Sequence, residues 1–285
     1  MPQIYVHIGL PKTATTTLQT QVLMPHTGWC YVGTRLPRIL NVDPTFAVLD
    51  AFVNRGQGTA EAVQRALQDR WAREGKPLFV SEENFSIGAF PGASSESSLG
   101  QTRSAKLARL AASLEGLDAL VLVGLRPFRD AVFSAFVEYQ NELQGLGVEA
   151  VANVDALGMY QTHKLRDELE ALWPGKVVPV AFEDVVAGTV QFPGFQQQKP
   201  TSPLPNMRRH PRTDQGVLRE IDVARPLKPL ARLVAPWSPS FAHALWRVKR
   251  ARTVEVSRWS DREWREMEAL EAASDEARAQ WLSES

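Results

Sequence analysis

A lysine and a run of hydroxyl side chains stand together near the start of the chain, in His7-Ile8-Gly9-Leu10-Pro11-Lys12-Thr13-Ala14-Thr15-Thr16-Thr17-Leu18-Gln19. An apolar run ends at Leu10, a tight turn follows, and a helical pattern begins at Thr15. A strand–turn–helix junction of this kind aims backbone N–H groups and the positive end of the helix dipole at one spot. An anion is stabilised there without any special side chain. Lys12 adds a mobile positive charge, and Thr15, Thr16 and Thr17 add hydroxyl donors at the first helical turn. The motif is not the triphosphatase loop G-x-x-x-x-G-K-[ST], in which the lysine follows a second glycine. Here Lys12 comes early and the threonines come late, with no acidic strand end to hold Mg²⁺.

A second block, Val121-Leu122-Val123-Gly124-Leu125-Arg126-Pro127-Phe128-Arg129-Asp130, runs on to Ser134, Phe136 and Tyr139. A strand ends in Arg126, and Pro127 suits a helix start. The first block resembles the 5′-phosphosulfate loop of the sulfotransferase family, P-K-[ST]-G-[ST]-[ST]-x-L, through Pro11, Lys12, Thr13, Thr15, Thr16 and Leu18. Ala14 departs from it, standing where the family usually has glycine. A conformation close to αR is expected there, because a positive φ strains alanine. The second block resembles the family's 3′-phosphate element, with Ser134 eight residues beyond Arg126. A guanidinium fork grips phosphate oxygens in pairs, and a serine hydroxyl adds one donor. Arg129 is expected to be a structural ion-pair partner. Phe182-Glu183-Asp184-Val185 resembles the family's Y-E-D-L segment and is expected to close a strand and cap a helix. Arg208 and Arg209 lie where the family often folds a loop over the nucleotide, although the R-K-G-x-x-G signature is absent.

The resemblance, over about residues 3 to 215, implies transfer of a sulfuryl group from 3′-phosphoadenosine 5′-phosphosulfate to a hydroxyl or amine. The product would be 3′-phosphoadenosine 5′-phosphate, with no metal required. Lys12 would stabilise charge on the leaving nucleotide. A hydroxyl acceptor needs a base. Glu83, in Phe79-Val80-Ser81-Glu82-Glu83-Asn84-Phe85, follows a strand end and is the leading candidate. Glu82 would face the other side of an extended chain. His7 on the first strand is the alternative base, or a buried core histidine.

These groups need a scaffold. Four apolar runs, Ile4–Leu10, Leu78–Ser81, Leu120–Leu125 and Val177–Phe182, read as buried strands. Helical patterns lie between them: 15–23, 59–73 with Val63, Leu67 and Trp71 on one face, a stripe of Leu107, Leu110 and Leu114, and 128–143. Asp155 could cap a helix burying Leu165, Leu169 and Leu172. Strands alternating with helices predict an α/β fold with a central parallel sheet and ligands at its carboxyl edge. The resemblance makes this a P-loop-like sulfotransferase fold. The expected division is an α/β core over 1–215 and a helical C-terminal extension over 216–285 packed on it. Gly88 to Ser104 reads as a lid or a solvated loop with little to bury, and Gly188 to Gly216 as irregular.

Composition narrows the partners. Lysine plus arginine and aspartate plus glutamate both number 32, which points to no nucleic acid. The single cysteine, Cys30, allows no intrachain disulfide and reads as a buried small residue in a cytoplasmic protein. The segment after Arg225 gathers Lys228, Arg232, Arg247, Lys249, Arg250 and Arg252 around Trp237, Phe241 and Trp246. It suits a helical subdomain, or peripheral contact with an anionic membrane. Ser260-Asp261-Arg262-Glu263 is a capping box for a last helix burying Trp264, Met267 and Leu270. The acceptor, whether glycan, lipid, small metabolite or peptide, is not encoded in any motif. The competing readings are a non-catalytic nucleotide- or glycan-binding member of the fold and a P-loop kinase-like phosphotransferase.

Overall fold

A computed structural model describes residues 3–10, 13–34, 43–90, 93–138, 158, 160–194, 212–213, 216–217, 233–234, 237–238 and 261–284. Strands β1 (Ile4–Ile8), β2 (Cys30–Gly33), β3 (Leu78–Ser81), β4 (Ala119–Leu125) and β5 (Val177–Ala181) form one parallel sheet, ordered β2-β3-β1-β4-β5. The α/β class with a helix-flanked parallel sheet is therefore present. The four apolar runs are strands, and β2 is a fifth that the sequence expectations omit. It is no shorter than β3, but Tyr31 and Gly33 interrupt its aliphatic character.

Both faces of the sheet are covered, so successive residues of a strand enter different cores. Ile4, Val6 and Ile8 join Val80, Val121 and Val123 under α2 (Pro44–Arg55), α3 (Ala60–Glu74) and α4 (Arg103–Leu114). Tyr5, Phe79 and Leu122 face the other way, against Leu18, Val22 and Leu23 of α1. This α1 begins as an α-helical turn (Thr15–Thr17) and continues as a π-helical stretch (Leu18–Leu23). The chain builds β1, β2 and β3 on one side and then crosses to β4 and β5 on the other. Such a reversal opens a crevice at the carboxyl edge. Ile8 pairs with Val123, so the turn after β1 and the segment after β4 leave neighbouring strands at that edge.

Local signals explain the helices. Asp43 starts α2, its Oδ1 accepting from the N–H groups of Thr45 (2.9 Å) and Phe46 (3.1 Å) ahead of Pro44. The sequence expectations omit this helix despite that start signal. Thr59 caps α3, which buries Val63 and Leu67 but leaves Trp71 36% exposed, so the apolar face ends one turn early. Helix α5 (Phe128–Glu138) follows Pro127. Helix α6 (Thr162–Leu172) buries Leu165 and Leu169 and starts at Gln161, whereas Asp155 lies outside the described residues. Helix α7 (Phe182–Ala187) follows β5 directly, with Glu183 and Asp184 in its first turn. Cys30 is buried.

Gly88 to Ser104 is a loop anchored near its start. Just before it Ile87 is fully buried, and within it Phe90 is 3% exposed, with its N–H donating to the Leu99 carbonyl (2.8 Å). The fully buried Lys106 of α4 ties down the preceding segment, donating from Nζ to the carbonyls of Ile87 (2.6 Å) and Asn84 (3.2 Å). Within 88–104 the described residues are mostly half-buried or exposed, and Phe90 is the one large buried side chain among them.

Helix α8 (Asp261–Ser283) packs on α5, α6 and β5 and buries Met267 and Trp281. The side chain of Trp264, expected in that core, lies outside the described residues. Arg129 of α5 pairs with Glu271 (2.6 Å), bearing out its structural role, and Arg278 pairs with Glu183. Asp275 Oδ1 accepts the Phe128 N–H (2.8 Å) and so caps α5 from 147 residues away. Asp275→Ala is expected to cost about 1 kcal/mol, the value of a lost N-terminal cap. Asp275→Asn, which keeps an acceptor, should recover most of it; urea unfolding of both variants checks this.

Candidate functional site

The turn after β1 is held by its own hydroxyls. Thr13 Oγ1 donates to the Leu10 carbonyl (2.6 Å) and Thr15 Oγ1 to the same oxygen (3.3 Å), both side chains being buried. Thr15 Oγ1 also lies 3.4 Å from Thr13 Oγ1, so the hydroxyl expected to face an anion has two partners inside the turn. Thr16 is exposed and Thr17 half-buried. The first N–H groups of α1 have no acceptor within the helix, as at any helix start. Pro11 and Lys12 lie outside the described residues.

Ala14 has φ 62° and ψ 22°, the left-handed region, and is the one non-glycine residue with positive φ among those described. This overturns the expected conformation near αR. The chain must change direction between the end of β1 and the start of α1, and a left-handed residue at the cap supplies that bend. The conformation costs an L-residue about 1–2 kcal/mol, and strain of this kind concentrates at functional sites. Ala14→Gly relieves it, against about 0.5–1 kcal/mol of added chain entropy in the unfolded state. A net gain of a few tenths to about 1 kcal/mol is expected in urea unfolding. A loss of stability would contradict the left-handed turn.

Two glycines let the turn sit this low. A Cβ on Gly9 would lie 2.4 Å from Thr15 Oγ1 and 2.9 Å from His7 Cε1. A Cβ on Gly124 would lie 2.9 Å from Thr13 Oγ1 and 3.7 Å from His7 Nε2. The histidine ring is thus wedged against both backbones. His7 is paired in register with Ser81 across the parallel strands. Its Nδ1 is 2.9 Å from Ser81 Oγ, which also receives a bond from Gln19 Nε2 of α1 (3.0 Å).

Burial lowers the His7 pKa to about 4 from an ordinary 6.5. The ring is therefore neutral at pH 7. The unfolded chain binds the extra proton first, so this residue's contribution to stability is whole above pH 6.5 and is lost as pH falls towards 4. The slope approaches about 1.4 kcal/mol per pH unit. Urea unfolding of wild type between those limits should show this component, and His7→Gln should lack it.

The two carboxylates after β3 have different positions. Glu82, 2% exposed, accepts the Asn84 N–H (3.0 Å) and caps the 3₁₀ turn Glu83–Phe85. Glu83 is half-buried at the start of that turn, beyond the strand end. Arg126 is half-buried beyond β4, its guanidinium carbon 4.5 Å from the centre of the Phe182 ring at the β5–α7 junction. Ser134 lies two turns into α5, partly exposed. Arg208 and Arg209 lie outside the described residues.

His7, Thr13, Thr15, Glu83 and Arg126 thus gather along one sheet edge. Ser81, Gln19 and Phe182 belong to the same edge, although no role is assigned to them from the sequence. A signal existed for Ser81: two neighbouring apolar strands each carry a polar residue near their carboxyl ends, His7 in one and Ser81 in the other. No family model matches the chain, and no curated protein is significantly similar to it.

Proposed function

We propose that the chain is a sulfotransferase of P-loop-like fold with a helical C-terminal extension, taking 3′-phosphoadenosine 5′-phosphosulfate as donor. The observation that carries the reading is Ala14. It departs from the resembled loop in residue type, yet it adopts the left-handed conformation that explains a glycine there. The backbone at position 14 thus takes the form that a glycine would favour, which supports the reading. The strand order reverses at β1, and the turn and Arg126 leave neighbouring strands beside that reversal, which suits a nucleotide bearing phosphates at both ends.

In this reading the turn cradles the 5′-phosphosulfate, while Arg126 and Ser134 take the 3′-phosphate, with Arg208 and Arg209 as further candidate ligands. The acceptor oxygen attacks sulfur in line as the bond from sulfur to the bridging oxygen breaks. The bridging electron pair stays on the departing bisphosphate, where Lys12 offsets its charge. Glu83 takes the acceptor's proton. Positioning and charge stabilisation supply most of the rate.

Calorimetry with 3′-phosphoadenosine 5′-phosphate, AMP and ATP-Mg²⁺ tests this. The bisphosphate should bind tightest, and Lys12→Ala should weaken it. No binding, or preference for ATP-Mg²⁺, would refute the sulfotransferase reading.

A further inference from the structure

We infer that Ser81 and Gln19 are positioning residues that hold His7 as the neutral tautomer with its proton on Nε2. The histidine is then a hydrogen-bond donor beneath the turn and not a base. Its action on a bound phosphosulfate rests on the proposed function, whereas the tautomer does not.

The chain of donors runs one way. A carbonyl oxygen can only accept, so the Gln19 group 3.4 Å from the Ser81 carbonyl is its NH₂, which also donates to Ser81 Oγ (3.0 Å). The Ser81 hydroxyl keeps its own proton to donate, and the acceptor it meets is His7 Nδ1 at 2.9 Å. A neutral imidazole accepting at Nδ1 carries its proton on Nε2. All three side chains are buried, His7 at 1% exposure, so water does not compete for these bonds.

The other edge of the ring faces the turn. Cε1 abuts Gly9, where the turn begins, and Nε2 abuts Gly124 at the spot approached by Thr13 Oγ1. The donor is therefore delivered where the two anion-binding segments spring from the sheet. A histidine already protonated on that side cannot accept a proton there, which leaves the base to Glu83.

Nitrogen NMR of the full chain with labelled histidine, the His7 signals assigned through His7→Gln, reads the tautomer at pH 7. The expected pattern is a proton on Nε2 and an accepting Nδ1 in wild type. Ser81→Ala should mix the tautomers, and Gln19→Leu should do so partially. A proton on Nδ1 in wild type, or an unchanged pattern in Ser81→Ala, would overturn the assignment. Binding of 3′-phosphoadenosine 5′-phosphate tests the donor role. His7→Phe should weaken it roughly tenfold, the loss of one hydrogen bond to a charged group. His7→Gln keeps an N–H within reach of the Nε2 position but takes no proton, and should restore affinity to within about threefold. Equal losses in both variants would overturn the donor role. Failure of wild type to bind the bisphosphate would instead sink the proposed function, leaving the tautomer to the NMR result.

Discussion

Arg126→Ala is expected to weaken binding of 3′-phosphoadenosine 5′-phosphate by about a hundredfold, while AMP affinity changes by no more than about twofold. The difference between the ligands is the 3′-phosphate alone, so their ratio isolates the group that Arg126 would hold. The magnitude follows from a charge-assisted, two-pronged contact at a half-buried position, where removing one partner of a hydrogen-bonded charge pair typically costs 2–5 kcal/mol. The lower end is appropriate because Arg126 is not fully enclosed. Arg126→Lys keeps the charge but loses the planar fork and its stacking on Phe182, and should recover little of the loss. Phe182→Ala removes only the shelf beneath the guanidinium and should give a smaller drop of the same selectivity. Calorimetry of the three variants with both ligands decides it. A parallel loss of bisphosphate and AMP would mean that Arg126 supports the fold and does not read the 3′ end.

What the sequence revealed and what it hid have physical causes. Strands buried on both faces are continuous apolar runs, so β1, β3, β4 and β5 stood out. The edge strand β2, with Tyr31 and Gly33 among its four residues, carries no comparable run. A position marked by side-chain type and local spacing, such as Arg126 beside Pro127 between β4 and α5, is legible. Residues that matter through a partner far along the chain are not. Ser81 meets His7 74 residues away, Gln19 meets Ser81 across 62, and Asp275 caps α5 across 147. No local pattern encodes such a pairing, because it exists only once the strand order is set. Ala14 failed for a different reason. Residue type points to αR at this position, whereas the direction change between β1 and α1 imposes a conformation that alanine disfavours. The inward hydroxyls of Thr13 and Thr15 follow from the same geometry, since a turn this low leaves the carbonyl of Leu10, two residues past β1, facing them.

That low seat makes Gly9→Ala the most disruptive small substitution at the site. The added methyl carbon would stand 2.4 Å from Thr15 Oγ1, 2.7 Å from Thr15 Cγ2 and 2.9 Å from His7 Cε1, so at least two side chains must move. Neither has room. Thr15 is buried and bonded to Leu10, and the His7 ring is held by Ser81. Overpacking of this kind costs about 1–3 kcal/mol, and the relief available is displacement of the turn itself. Stability should fall by about that amount in urea unfolding, and bisphosphate affinity by at least a hundredfold where the turn cradles the 5′-phosphate as proposed. The double variant Gly9→Ala/Thr15→Ala separates strain from simple loss of a residue. Thr15→Ala alone removes the long contacts of its hydroxyl with Leu10 and Thr13, whereas in the double variant it also empties the space that the methyl needs. The two changes should therefore combine to less than their sum, with a coupling of at least about 0.5 kcal/mol. Strict additivity would mean that Gly9 is not packed against Thr15 and that the turn stands clear of the sheet.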